Sequence, residues 1–166
     1  LVRLQHPHIA RFLDGGVSDD GQPWYAMELV EGATLAQHVE RLALPLPERL
    51  QLFMQVCDAV QFAHQNLVLH RDLKPANILV DAQGQVKLLD FGIAKLLQDE
   101  ADPDPHEVTR TEHRAFTLDY AAPEQISGQG VSTATDIYAL GVILFELLTG
   151  RRPFSSGAVH GLVTAS

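Results

Sequence analysis

The stretch His70-Arg71-Asp72-Leu73-Lys74-Pro75-Ala76-Asn77-Ile78-Leu79-Val80 constrains this chain more than any other. It places a carboxylate, an ammonium and a carboxamide in one short loop and runs directly into an apolar triplet. Lys87-Leu88-Leu89-Asp90-Phe91-Gly92 follows shortly after. Between the two, Asp81-Ala82-Gln83-Gly84 has the composition of a tight turn. A strand over Ile78–Val80, that turn and a strand over Val86–Leu89 predict a hairpin. One end of the hairpin would bring Asn77 and Asp90 together.

That end suits phosphoryl transfer. The reaction asks a protein for an oriented nucleophile, metal ions on the phosphates and neutralising charge, and for little covalent work. Asp72 can accept a hydroxyl proton and orient the oxygen. Lys74, two residues on, can serve as a point charge for a phosphate. Asn77 offers a hard oxygen and Asp90 a charged one for Mg²⁺, which takes few protein ligands and keeps water and phosphate as the rest. A lone His-Arg-Asp or Asp-Phe-Gly is usually a solvated loop or turn. Here both occur in order, and Ala122-Pro123-Glu124 comes later.

The order H-R-D-L-x-x-x-N, D-F-G, A-P-E is the protein-kinase signature set. From Leu1 to about Phe154 the chain resembles the eukaryotic-like, bacterial-type serine/threonine protein kinases. The resemblance implies an α+β, kinase-like fold with a mostly helical large lobe and a truncated small lobe. Residues 1–29 would be the small-lobe remnant, the end of the regulatory helix and one hairpin. Residues 30–166 would be the large lobe, incomplete at its C-terminal end. Asp72 is then the base, Lys74 the phosphate clamp, and Asn77 with Asp90 the Mg²⁺ ligands. Met27 would be the gatekeeper beside the adenine of ATP, and Leu79 would lie against the nucleotide. The backbone C=O of Glu28 and N–H of Val30 would meet the base. Thr117 would dock the substrate beside Asp72 and Lys74, although Phe116 stands where the family usually has Gly. His70 would be a packed ring under Phe91. The eight histidines offer no tight ligand spacing with Cys or carboxylate partners, which argues against a metal role for it. Asp136 would anchor the backbone around His70-Arg71.

The resemblance also marks what is missing. The family's Gly-rich loop, strand lysine and helix glutamate do not appear, and no lysine precedes Lys74. Gly15-Gly16 follows the wrong strand and reads as a plain turn. The chain starts without Met, and the family's last large-lobe helices are absent, so a fragment of a longer parent is expected. The parent would phosphorylate Ser or Thr hydroxyls of proteins with ATP and Mg²⁺, and the fragment alone would be inactive. Truncation would expose Leu4, Phe12, Ile143 and Leu147 and leave Glu124 without a cation. One rival reading is a small-molecule phosphotransferase, against which Ala122-Pro123-Glu124 argues. The other is a pseudokinase or binding module, against which the intact Asp72, Lys74, Asn77 and Asp90 argue.

Composition narrows the rest. The chain has 166 residues, enough for one real core. A net charge of −9 argues against nucleic acid as a partner. The single Cys57 excludes an internal disulfide and fits a reducing compartment, so a cytoplasmic site is expected. Cys57 reads as a small buried apolar residue. There is no signal peptide, and the longest apolar run, Ile137–Phe145, is too short to cross a bilayer.

Read in order, Leu1–Ile9 predicts a helix end stopped by Pro7. Strands follow over Ile9–Leu13 and Trp24–Leu29, joined by a turn at Asp19-Asp20-Gly21. A short helix is expected over Thr34–Arg41. A long one over Pro47–Gln65 would present Leu50, Phe53, Met54, Cys57, Val60 and Phe62. Thr133-Ala134-Thr135-Asp136 reads as a capping box opening a buried helix to Thr149, stopped by Gly150. Leu97–Glu112, with Asp99, Glu100, Asp102 and Asp104, reads as a solvated, mobile acidic run.

Thr109 and Thr111 lie eight and six residues before Thr117, spacings that carry regulatory phosphothreonines in bacterial relatives by resemblance. Arg71, beside the catalytic aspartate, would pair with such a phosphate, which brings about −1.5 to −2 charges and acceptors for bidentate contact. Mass spectrometry of the active full-length protein is expected to find phosphate on at least one of the two. The double alanine variant is expected to lose most of its activity.

Overall fold

The computed structural model describes residues 4–91 and 118–154. The acidic run, Thr109, Thr111 and Thr117 lie outside the described residues, as does the chain after Phe154. The described chain is α+β, with two antiparallel sheets and helices packed on one of them.

Strands β1 (Phe12–Val17) and β2 (Pro23–Met27) form a hairpin. Its tip is the expected turn: Gly21 has φ 81°, and its N–H donates to the carbonyl of Ser18 at 2.9 Å. The first strand starts later than the sequence suggested, since only Ile9 makes an isolated bridge before Phe12. Gly15-Gly16 is therefore strand and not turn, paired with Tyr25 and Trp24. A Cβ on Gly15 would sit 3.0 Å from the Phe12 ring, so the bare backbone lets that ring fold across the strand. Leu4–His6 is irregular and not helical, and a turn at Pro7-His8 brings Ile9 N–H to the carbonyl of His6 at 3.1 Å.

Strands β3 (Gly32–Thr34), β4 (Ile78–Asp81) and β5 (Val86–Leu88) form the second sheet, with β4 in the middle. The hairpin read from the sequence is present, and period-two alternation buries Ile78, Val80, Val86 and Leu88. Gly32 pairs with Asp81, and a Cβ there would lie 2.4 Å from the carbonyl oxygen of Val80. Only glycine permits that approach. The segment before β1 extends the sheet edge: Leu88 donates to the carbonyl of His8 at 2.9 Å, and Ala10 donates to that of Leu88 at 3.0 Å. The first hairpin is thus hung on the second.

Helix α1 (Leu35–Arg41) opens on Thr34, whose hydroxyl caps Gln37 N–H while the Gln37 side chain returns to Thr34 N–H. Helix α2 (Leu46–Gln65) starts at Pro45 with Pro47 in its first turn, where the missing N–H costs nothing. Its core face is Leu52, Val56, Ala59, Val60 and Ala63. Of the expected stripe, only Val60 is buried: Leu50 and Met54 are exposed, Cys57 is half-buried, and Phe53 and Phe62 pack at the margin. Ala59 and Ala63 explain the rotation. Their small side chains let α2 lie close to its neighbours, and the larger residues fill the fringe. Burial pushes the Cys57 thiol pKa up, in keeping with a packing role.

Helix α3 (Pro123–Ile126) is one turn, and α4 (Thr133–Thr149) is the long central helix. The capping residue of α4 is Ser132, one position before the expected box, with Thr135 returning to its N–H at 3.1 Å. Gly150 ends α4 at φ 71°, as expected. Ile143 is fully buried, and Leu4 and Leu147 are buried too, so the expected exposure of these three does not occur. Leu4 and Leu147 join the same core as α2 and the second sheet. The outer side of α4 does carry exposed Ile137, Phe145 and Leu148. Arg49 ties the two long helices, donating to the carbonyls of Leu44 and Leu147 at 2.7 and 2.9 Å. Arg152 folds back on Asp119, Glu146 and the Tyr120 ring, fastening the turn Leu118–Tyr120 to the end of α4. Among the described residues no helix is long and apolar enough to cross a membrane.

Candidate active site

The polar loop His70–Asn77 lies between the end of α2 and the start of β4. Its shape is set by the Asp136 carboxylate, which is 1% exposed in the first turn of α4. One oxygen accepts the N–H of His70 at 2.9 Å and Nε2–H of His64 at 2.7 Å; the other accepts the N–H of Arg71 at 2.9 Å. Arg71 needs this grip because its φ is 66°, in the left-handed region that non-glycine residues rarely occupy. Gln125 of α3 holds the other side of the same residue, donating to the Arg71 carbonyl at 2.7 Å.

His70 is buried, and its ring packs on Phe91 with centroids 4.8 Å apart, as expected. Its Nδ1 accepts the N–H of Asp72 at 3.3 Å, and its Nε2 meets the Leu89 carbonyl at 2.9 Å. That pattern requires a neutral ring protonated on Nε2. Burial holds its pKa below the ordinary histidine value, which agrees.

The turn at Arg71 presents Asp72 outward. Its Oδ2 accepts Lys74 Nζ at 2.7 Å and Asn77 Nδ2 at 3.3 Å, and Asn77 also donates to the Asp72 carbonyl at 2.9 Å. Asp72, Lys74 and Asn77 therefore converge, although all three are polar and Asn77 is 8% exposed. With Nδ2 spent on Asp72, Asn77 turns its amide oxygen free of partners among the described residues. The Asn77 carbonyl accepts Leu89 N–H at 2.8 Å, which closes the hairpin end and delivers Asp90 next in sequence. Asp90 is itself left-handed, with φ 49°, and Tyr25 donates to its Oδ1 at 3.0 Å. Burial, then this bond, raises the Tyr25 pKa, so the phenol remains a donor at neutral pH.

An amide oxygen and a carboxylate at one hairpin end are hard donors that fit a small divalent cation. Among the described residues no cluster of three or more His, Cys, Asp or Glu could hold a metal by itself. An ion here would rely on phosphate and water for its remaining positions.

The other expected residues lie on the adjoining elements. Met27 ends β2 and lines a small cavity with Ile9, Phe12, Asp90 and Phe91. Leu79 is half-buried on the face of β4 opposite Ile78 and Val80. Glu28 follows Met27; its carboxylate accepts the N–H of Arg11 at 3.0 Å and pairs with Lys87 at 3.1 Å. These contacts, the Arg11 bond foremost, lower its carboxyl pKa. Among the described residues neither the Glu28 carbonyl nor the Val30 N–H is engaged within the chain. Glu124 is not left bare: it accepts the Thr135 hydroxyl at 2.7 Å, which lowers its pKa. Sequence reasoning missed Tyr25, His64, Lys87 and Gln125. Tyr25 had a usable signal, since it stands two residues before Met27 and shares its strand face.

Sequence comparison gives the family. The profile described as protein kinase domain matches residues 1–164, so the chain belongs to the protein kinase family. It is 39% identical over 155 residues to the probable serine/threonine-protein kinase PknB of Lactococcus lactis, covering 93% of this chain and 24% of that protein. The serine/threonine-protein kinase PrkC of Bacillus subtilis is 42% identical over 152 residues, covering 91% and 22%. PknB of Mycobacterium tuberculosis is 38% identical over 156 residues, covering 92% and 24%. The chain thus spans about a quarter of the length of the relatives it matches.

Replacing Asp136 by Ala leaves the N–H groups of His70 and Arg71, and His64, without their acceptor and removes one of the two grips on Arg71. A buried donor left without an acceptor costs about 1–3 kcal/mol. Chemical denaturation of the full-length protein is expected to show a loss of that order in Asp136→Ala, with a smaller loss in Asp136→Asn.

Proposed function

We propose that the protein carrying this chain transfers the γ-phosphate of ATP to serine or threonine hydroxyls of proteins, with Mg²⁺ as the metal. The observation that carries the reading is Asp72 Oδ2, held by both Lys74 and Asn77 at the mouth of a loop that Asp136 pins. Three lines support it: membership of the family, the relatives' names as serine/threonine kinases, and a donor set suited to a hard cation. The same names favour a protein substrate over a small molecule. In this reading residues 1–29 belong to the small lobe and 30–166 to the large lobe. The site of action is the cytoplasm. Thr117 docks the substrate, and Arg71 forms an ion pair with a phosphate carried on Thr109 or Thr111.

Asp72 orients the acceptor hydroxyl and takes its proton as the oxygen becomes nucleophilic. Lys74 exchanges part of its contact with Asp72 for a phosphate oxygen, and its charge offsets the negative charge developing there. The Asn77 amide oxygen and Asp90 would hold the metal, with Asn77 Nδ2 keeping the amide in the orientation that presents its oxygen. The Mg²⁺–nucleotide complex, when bound, supplies the phosphoryl group and the Lewis acid. Met27 and Leu79 give the base an apolar surface, and the Glu28 carbonyl and Val30 N–H give it one acceptor and one donor. No lysine precedes Lys74, so the 166-residue chain assayed by itself is proposed to transfer no phosphate.

Asp72→Asn in the full-length protein keeps an amide oxygen to accept the hydrogen bond from Lys74 but not the basicity. Its kcat is expected to fall by about 10²–10⁴-fold, the usual worth of a general base, with nucleotide affinity retained. Turnover within about tenfold of wild type, ~1.4 kcal/mol in barrier, would remove Asp72 from that role. Asp90→Ala is expected to abolish Mg²⁺-dependent nucleotide binding in a calorimetric titration, since Asn77 brings no charge. Unchanged affinity would place the metal elsewhere.

A further inference from the structure

The Asp90 carboxylate is held differently from the others in the site. Asp72 meets two side-chain donors, and Asp136 meets three donors. Among the described residues Asp90, in the loop just after β5, has one hydrogen-bond donor, the phenol of Tyr25, 65 positions away in sequence on β2 of the other sheet. The contact follows from strand geometry. Tyr25 and Met27 are two apart on β2 and share a face. Met27 on that face lines the cavity against Asp90 and Phe91, and Tyr25 reaches Asp90 with Oη 3.0 Å from Oδ1. At φ 49° the Asp90 backbone occupies a strained region that persists only when its surroundings over-determine it.

We propose that Tyr25 is a positioning residue for Asp90: its hydroxyl fixes the carboxylate so that the remaining oxygen lone pairs meet a divalent cation. The inference rests on the proposed role of Asp90 as metal ligand. A carboxylate has about four lone-pair sites, and one phenol bond leaves the others open. Outer donors of this kind orient metal ligands, and removing one typically costs 10–100-fold in metal affinity. The arrangement also makes the metal end of the site dependent on the strand whose other end leads into Glu28 and Val30.

The test is the affinity for Mn²⁺, a spectroscopically visible probe, in the full-length protein saturated with a non-hydrolysable ATP analogue. Tyr25→Phe removes only the hydroxyl and keeps the ring packing. It is expected to weaken Mn²⁺ binding by about tenfold or more, with metal-free analogue affinity and thermal midpoint unchanged. Asp90→Asn, measured in parallel, is expected to lose more. If Asp90→Asn weakens Mn²⁺ binding but Tyr25→Phe stays within about twofold of wild type, the positioning role is overturned and the metal assignment stands. Tighter Mn²⁺ binding by Tyr25→Phe also overturns it, since the phenol then competes with the ion. If neither variant changes Mn²⁺ binding, the metal assignment falls, and the role of Tyr25 falls with it.

Discussion

The Asp136 carboxylate is the constraint on which the rest of the site depends. It is buried, carries charge and accepts three donors from α2 and the polar loop. Hydrogen bonds to a charged group contribute about 1.5–3 kcal/mol each, and a strained left-handed residue costs about 1–3 kcal/mol. The clamp therefore exceeds the strain at Arg71, and the loop keeps the one turn that points Asp72 away from the core. The position of Asp136 in the first turn of α4 adds the favourable end of the helix dipole. Because α4 is buried along Ala139, Val142, Ile143 and Leu147, the clamp is attached to a helix packed into the core.

Two sheets meet around this anchor. The loop flows into β4, and Leu88 of β5 bonds to His8 and Ala10, so the first hairpin inherits the position of the second. The Glu28–Lys87 pair adds a lateral tie. Both partners are partly exposed, so that pair contributes little stability by itself, about 0–1 kcal/mol. Its effect is on register: it holds the residue after Met27 over the strand that ends near Asp90. His70 completes the join, bridging the Asp72 N–H and the Leu89 carbonyl with its two ring nitrogens while Phe91 covers its face.

Local pattern made much of this legible. The apolar triplet Ile78–Val80 followed by the turn composition of Asp81–Gly84 identified the β4–β5 hairpin, and Thr34, Pro47 and Gly150 marked helix ends through capping and φ preferences. The readings that failed share a cause. Gly15-Gly16 looked like a turn because glycine's local preference ignores the Phe12 ring that crosses it. The stripe on α2 was drawn through the largest apolar residues, whereas close packing selected a face containing Ala59 and Ala63. Leu4 and Leu147 were expected to be exposed because sequence cannot tell which partners remain to cover them.

The sequence by itself determined the chemistry available: a carboxylate, an ammonium and an amide within one loop, a second carboxylate after a hairpin, and a third at the head of a long apolar helix. Spacing along the chain sufficed because those contacts are short-range or follow from strand and helix periods. Only the tertiary structure decided which of these groups meet. Asp136 reaches the backbone of Arg71 across 65 positions, a contact the family resemblance implied but no spacing did, and Tyr25 reaches Asp90 across the same number. Such contacts depend on how two sheets and two helices pack, a long-range consequence of burial that no local pattern encodes.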